Sequence, residues 1–82
     1  MDDIDRKRNE ILGARVWQAR IRAGVGPEIV ARSIGVSPAE VSQVENGIHP
    51  RTQELAPRAL QALAEHRTVP SYIIERVTRF LN

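Results

Sequence analysis

The chain has 82 residues, enough for one domain with a thin core and too few for two. It contains no cysteine, and aromatic residues make up 4%, which excludes disulfide staples, thiolate metal sites and the aromatic platforms that hold single-stranded nucleic acid. The net charge is +2, and 11 of the 12 basic residues are arginine, a bias towards planar recognition of phosphate and carboxylate.

The start, Met1-Asp2-Asp3-Ile4-Asp5, is acidic and lacks the basic-then-apolar order of a signal peptide. No apolar run approaches the roughly 18 residues of a membrane span, so the expected location is cytoplasmic. A first helix is predicted from Asp3 or Asp5 to Ala23. Aspartate at its start caps free amides, and Ile11, Leu12, Val16, Ala19 and Ala23 recur at helical spacing. Gly24 ends it.

Gly26-Pro27 opens a short second helix to about Ile34, with Val30, Ala31 and Ile34 inward. Gly35-Val36 is a turn. Ser37-Pro38 starts a third helix, and Glu40, three residues after Ser37, completes a capping box. Val41 and Val44 point inward, and Asn46-Gly47 ends it. Residues 48–51 form a loop. A fourth helix carries Leu55, Ala59, Leu60, Ala62 and Leu63. Pro57 leaves its start open: either near Ala56 or at a turn from Thr52 with a kink. Thr68-Val69-Pro70-Ser71 is read as a break. A fifth helix, about 71–81, shows Ile73, Ile74, Val77, Phe80 and Leu81. No strand pattern competes, so the predicted class is all-α, a single domain over 1–82.

Residues 27–46 carry the most specific signal. Two short helices meet at a tight turn, with small Ala31 at the closest approach and Gly35 in the turn. Apolar residues stand at Val30, Ile34, Val36, Val41 and Val44. A steep crossing needs a small residue at contact and a three- to four-residue turn usually needs glycine, which is the helix-turn-helix pattern. Arg15 and Arg22, with Arg6, Arg8 and Arg32, are candidates for phosphate contacts, which set affinity rather than sequence choice.

The motif extends on both sides. Leu12-Gly13-Ala14-Arg15-Val16, Arg20, Gly24, Ala31, Gly35-Val36-Ser37, Val41-Ser42-Gln43-Val44-Glu45-Asn46-Gly47 and Pro50 together resemble the Cro/phage-repressor (XRE) family over roughly residues 11–65. The resemblance implies a compact five-helix, lambda-repressor-like domain that binds duplex DNA as a homodimer, with the third helix in the major groove. It implies that Arg20 pairs with Glu45 to lock the first helix to the third. It places Pro38, Ala39 and Gln43 at base edges. There Gln43 is the best candidate for direct readout, because its amide can bond adenine N6 and N7 together, and apolar Pro38 and Ala39 fit a thymine methyl. The resemblance makes Ser37 and Ser42 candidates for phosphate or base contacts. It has Asn46 and Gly47 present backbone amides to phosphate, and brings Arg51 to the backbone or minor groove. Glu40 either accepts from a cytosine N4 or serves only the capping box. Pro27 stands where the family usually has glutamine, and residues 33–50 contain no lysine or arginine.

The remaining candidates have plainer alternatives. Arg6-Lys7-Arg8 is a phosphate-binding arm or a solvated face partly neutralised by Asp2, Asp3 and Asp5. Trp17 packs within the chain or meets a partner. His49, in the loop after the third helix, is a candidate phosphate contact. His49 and His66 lack metal-ligand spacing, no triad or acid pair stands out, and no catalytic residue, metal or cofactor is expected. Ile73, Ile74, Val77, Phe80 and Leu81 exceed what a small core needs on one side, so they are predicted to complete the core and form the dimer interface. The expected function is a sequence-specific, duplex-DNA-binding transcriptional regulator, a repressor or autoregulator, acting as a homodimer on a two-fold symmetric operator. The alternative is a helix-turn-helix protein-interaction module, such as an antitoxin or adaptor, whose main partner is a protein.

Overall fold

The computed structural model describes residues 2–81, with side chains through residue 66. Four helices make up the described chain: α1 (Asp3–Ala23), α2 (Pro27–Ile34), α3 (Pro38–Glu45) and α4 (Thr52–Leu81). No strand occurs among the described residues.

Local chemistry sets the first three boundaries. The Asp2 side chain accepts the Asp5 amide at 2.9 Å, and Asp3 and Asp5 sit in the positive first turn of α1. Gly24 closes α1 and Gly35 closes α2, both in the left-handed region at φ 70° and 75°. The Gly35 amide donates back to the Ala31 carbonyl, so the turn between the two short helices is closed from inside. Arg58 of α4 donates to the Ile34 carbonyl at 3.2 Å, adding a cation at the negative end of α2. Ser37 and Glu40 complete the capping box of α3.

The core is small-residue and aliphatic. Val16 of α1, Val30, Ala31 and Ile34 of α2, Val41 and Val44 of α3, and Leu55, Ala56, Ala59 and Leu63 of α4 are all buried. α1 packs on α4 and α3, while α2 packs on α3 and α4, so every helix contributes to one core. Burying each valine or leucine side chain contributes about 1.5–3 kcal/mol. Ile11 departs from the expected apolar face of α1: it is 55% exposed. Asn9 and Gly13 share the buried face with Val16 instead.

The predicted break at residues 68–71 and the fifth helix are corrected by the structure, which runs a single α4 of 30 residues from Thr52 to Leu81. Of the two readings of its start, the one at Thr52 is observed. Pro57 lies on the exposed face, one position past buried Leu55 and Ala56. There the ring removes the amide that would bond the Gln53 carbonyl, while burial of the opposite face holds the turn helical. Pro70 likewise removes one amide donor without ending the helix. The side chains of Ile73, Ile74, Val77, Phe80 and Leu81 lie outside the described residues. Among the described residues no helix is long and apolar enough to cross a membrane, and no group of three or more acidic, histidine or cysteine side chains is placed to hold a metal ion.

Candidate nucleic-acid interface

The helix α3 buries one side and offers the other. Val41 and Val44 point into the core at 1% exposure, while Pro38, Ala39, Ser42, Gln43 and Asn46 are exposed together with Ser37. Helical spacing gathers these residues on a single face, with Gln43 near its middle turn. The Gln43 side chain bonds to no described residue, so its donor and its acceptor both face solvent.

What holds α3 against α1 is a near-contact of backbones. Gly13 faces the carbonyls of Val44 and Glu45 so closely that a Cβ at residue 13 would stand 2.6 Å from the Glu45 oxygen and nearer still to that of Val44. Two turns on, Arg20 reaches across. Its Nε donates to Glu45 Oε2 at 2.6 Å and a terminal nitrogen donates to Oε1 at 3.1 Å, a fork-to-fork pair. The other terminal nitrogen donates to the Val25 carbonyl at 3.1 Å. The side chains are 14% and 8% exposed, and the hydrogen bonds to Glu45 raise the Arg20 pKa above its ordinary value. Glu45 is thus neutralised and turned away from the exposed face.

Glu40 is also tied back, though its side chain stays partly exposed. Its Oε1 accepts from the amide and hydroxyl of Ser37, both at 3.2 Å, and its Oε2 lies 3.0 Å from His49 Nε2. The hydrogen bond from His49, followed by that from the Ser37 amide, holds the Glu40 carboxyl below its ordinary pKa. The Arg51 amide donates to His49 Nδ1 at 2.9 Å, so Nδ1 is the acceptor and Nε2 carries the proton that Glu40 receives. His49 is only 6% exposed: the ring is a strut between α3 and the loop, with no edge free to meet a phosphate. The two acidic residues that leave the stretch around α3 net negative are therefore both committed inside the chain.

The loop after α3 is closed by its own amides. Asn46 donates to the Ser42 carbonyl at 3.0 Å, Gly47 to Val44 at 2.9 Å and Ile48 to Gln43 at 3.0 Å. The Asn46 and Gly47 amides expected to face phosphate are thereby occupied. The Asn46 side chain also donates to the Ser42 carbonyl at 2.9 Å, leaving its carbonyl outward. Gly47 takes φ 73° beside the backbone of Asn9 and Glu10, which no side chain could share. Arg51 is exposed and paired with Glu54, which raises its pKa. Arg15 and Arg22 are exposed on α1 and pair with no described residue.

The structure thus gathers Ser37, Pro38, Ala39, Ser42, Gln43 and Asn46 on one face, with Arg51 on the neighbouring loop. Glu40 borders that face and His49 lies beneath it. The sequence leaves Trp17 either packed within the chain or facing a partner; the structure sets it in a groove of about 480 Å³ with Ala14, Arg20, Ser42, Glu45 and Asn46. Its spacing of four from Gly13 is the sequence signal that both point towards the same neighbour. A family model described as a helix-turn-helix domain matches residues 11–69. No curated protein and no solved structure matches the chain.

Proposed function

The chain belongs to the helix-turn-helix domain family, and from that membership we infer that it is a sequence-specific transcriptional regulator of duplex DNA. Within that family we place it with the Cro/phage-repressor-like proteins. The Arg20–Glu45 fork, the Gly13 contact and the capped α3 supply a rigid mount for a recognition helix, which is what a reader of base edges requires. The single observation that carries the reading is the face of α3. Gln43 stands there with an unengaged amide, flanked by small or apolar Pro38, Ala39 and Ser42, while every carboxylate of α3 is tied back into the chain.

In this reading α3 enters the major groove and Gln43 bonds an adenine edge, with Pro38 and Ala39 against a thymine methyl. Ser37, Ser42 and the Asn46 side chain reach phosphate or base edges, and Arg51, Arg15 and Arg22 neutralise phosphates. Glu40 and His49 act as supports of that surface. We place the homodimer contact on Ile73, Ile74, Val77, Phe80 and Leu81 of α4, which sets two recognition helices on a two-fold symmetric operator about 34 Å apart. Occupancy of such an operator blocks or recruits polymerase, and a repressor or autoregulator is the role we propose. A second reading, a module whose main partner is a protein, draws on the exposed pair Trp17 and Ile21, at 49% and 51%, outside the α3 face.

The test is selection from a random duplex library with the purified chain, followed by titration at two salt concentrations. An enriched inverted repeat with half-sites one turn apart is expected. Failure to enrich any sequence, with weak binding that salt abolishes, would turn the assignment to the protein-partner reading.

A further inference from the structure

We propose that Trp17 is an uncharged contact to DNA, its indole seating one sugar–phosphate strand of the major groove that α3 reads. This rests on the DNA-binding reading above and adds to it a residue of α1 outside the recognition helix.

The geometry starts from the two edges of α3. Helical spacing puts Ser42 and Glu45 along one edge of the exposed face, and Glu40 and Gln43 along the other. Beyond the Glu40 edge lies the loop that His49 ties to α3, ending at Arg51. Beyond the Ser42 edge lies α1, where Trp17 lines the groove it shares with Ser42 and Asn46. A helix in the major groove, roughly 12 Å wide, has a phosphate strand on each side. One strand then passes the Arg51 loop, and the other passes the groove between α1 and α3.

The two flanks differ in charge. The loop flank offers the Arg51 guanidinium, which stays half-exposed in its surface pair with Glu54. On the α1 flank the cation bordering the groove, Arg20, is spent on Glu45 and the Val25 carbonyl, and the pair is neutral. What the groove still presents is Trp17, 49% exposed, with an indole N–H that bonds to no described residue. Indole combines an apolar face, which suits the C–H surface of deoxyribose, with one donor that suits a phosphate oxygen. Ser42 and Asn46 place polar side chains on the opposite wall of the groove, so the strand is met from both sides. The contact is therefore made by packing and a hydrogen bond from an uncharged donor.

The test uses the full chain and the duplex enriched from the random library. Trp17 is the only tryptophan, so its emission reports on this site without a label. Saturating duplex is expected to change that emission and to lower its access to acrylamide in step with binding. Trp17→Ala is expected to weaken binding about tenfold, the worth of a hydrogen bond to a charged group. The slope of log affinity against log salt should stay the same, because a neutral side chain releases no counterion. The proposal is overturned if duplex binds while emission and quencher access stay constant, or if a folded Trp17→Ala chain binds as tightly as the parent. The emission readout on the parent chain decides the matter even where the variant fails to fold. If the library yields no duplex, the DNA-binding reading itself fails, a different result from binding that leaves Trp17 untouched.

Discussion

Replacing Gly13 by alanine sets two effects of known size against each other. In the interior of α1, alanine is the better helix former by about 0.8–1 kcal/mol, so local propensity alone makes Gly13→Ala stabilising. The packing opposes it. The added Cβ would lie 2.6 Å from the Glu45 carbonyl oxygen, against an ordinary C···O separation of about 3.3 Å, so α1 and α3 must part by about 0.7 Å or more. Both atoms in the way are backbone and have no rotamer to escape into. Parting the helices also lengthens the Arg20–Glu45 fork and loosens Val16 against Val44 at the centre of the core. Overpacking of this kind costs about 1–3 kcal/mol, and the strained fork adds to it. The net expectation is a loss of about 1 kcal/mol, a fall in Tm of about 4–8 °C for a domain this size. Urea and thermal unfolding followed by circular dichroism measure it. A Gly13→Ala chain as stable as the parent, or more so, would refute the close approach of α1 to α3.

Four further outcomes are expected. Glu45→Gln leaves the nearly buried Arg20 charge without its partner and should cost about 2 kcal/mol; an Arg20→Met, Glu45→Met cycle should give a coupling of about 1–3 kcal/mol, and additive single effects would deny the fork any energetic role. Gln43→Ala should relax base preference at one position per half-site, about 1–3 kcal/mol of discrimination, with the salt slope nearly unchanged; an unaltered preference in a repeat selection removes Gln43 as a reader. The Glu40 carboxyl is held below its ordinary value of 4.5, first by His49 and then by the Ser37 amide. Its stabilising contribution is therefore complete above the unfolded-state value and lost as pH falls through the lower folded value. Melting curves from neutral pH down through the carboxylate range should show a shallower acid decline for Glu40→Gln than for the parent, and parallel curves would mean that the His49–Glu40 bond contributes nothing. Val77→Asp should shift sedimentation towards monomer, and a folded, dimeric variant would move the dimer contact off the end of α4.

The sequence alone determined the punctuation of the fold. Asp2, Gly24, Pro27, Gly35, Ser37 with Glu40, and Asn46-Gly47 act on the backbone within a few residues of themselves, so the bounds of α1, α2 and α3 were legible before any packing was known. The apolar spacing in α2 and α3 likewise named Val30, Ala31, Ile34, Val41 and Val44, because a short amphipathic helix has only one face to bury. The exposed residues of α3 followed by subtraction. The tertiary structure decided what depends on a distant partner. Pro57 left the start of α4 open between two readings and Pro70 read as part of a break, yet α4 runs through both, and at Pro57 the burial of Leu55, Ala56 and Ala59 outweighs one lost amide bond. His49 reads as a loop residue facing phosphate until Glu40, nine positions earlier, is seen to accept a hydrogen bond from its Nε2 beneath the α3 face. Gly13 carries no local signal beyond a cost to its helix; its reason is the backbone of Val44 and Glu45, more than thirty residues away. Trp17 gains its meaning only from the groove between two helices that no periodicity in either one describes.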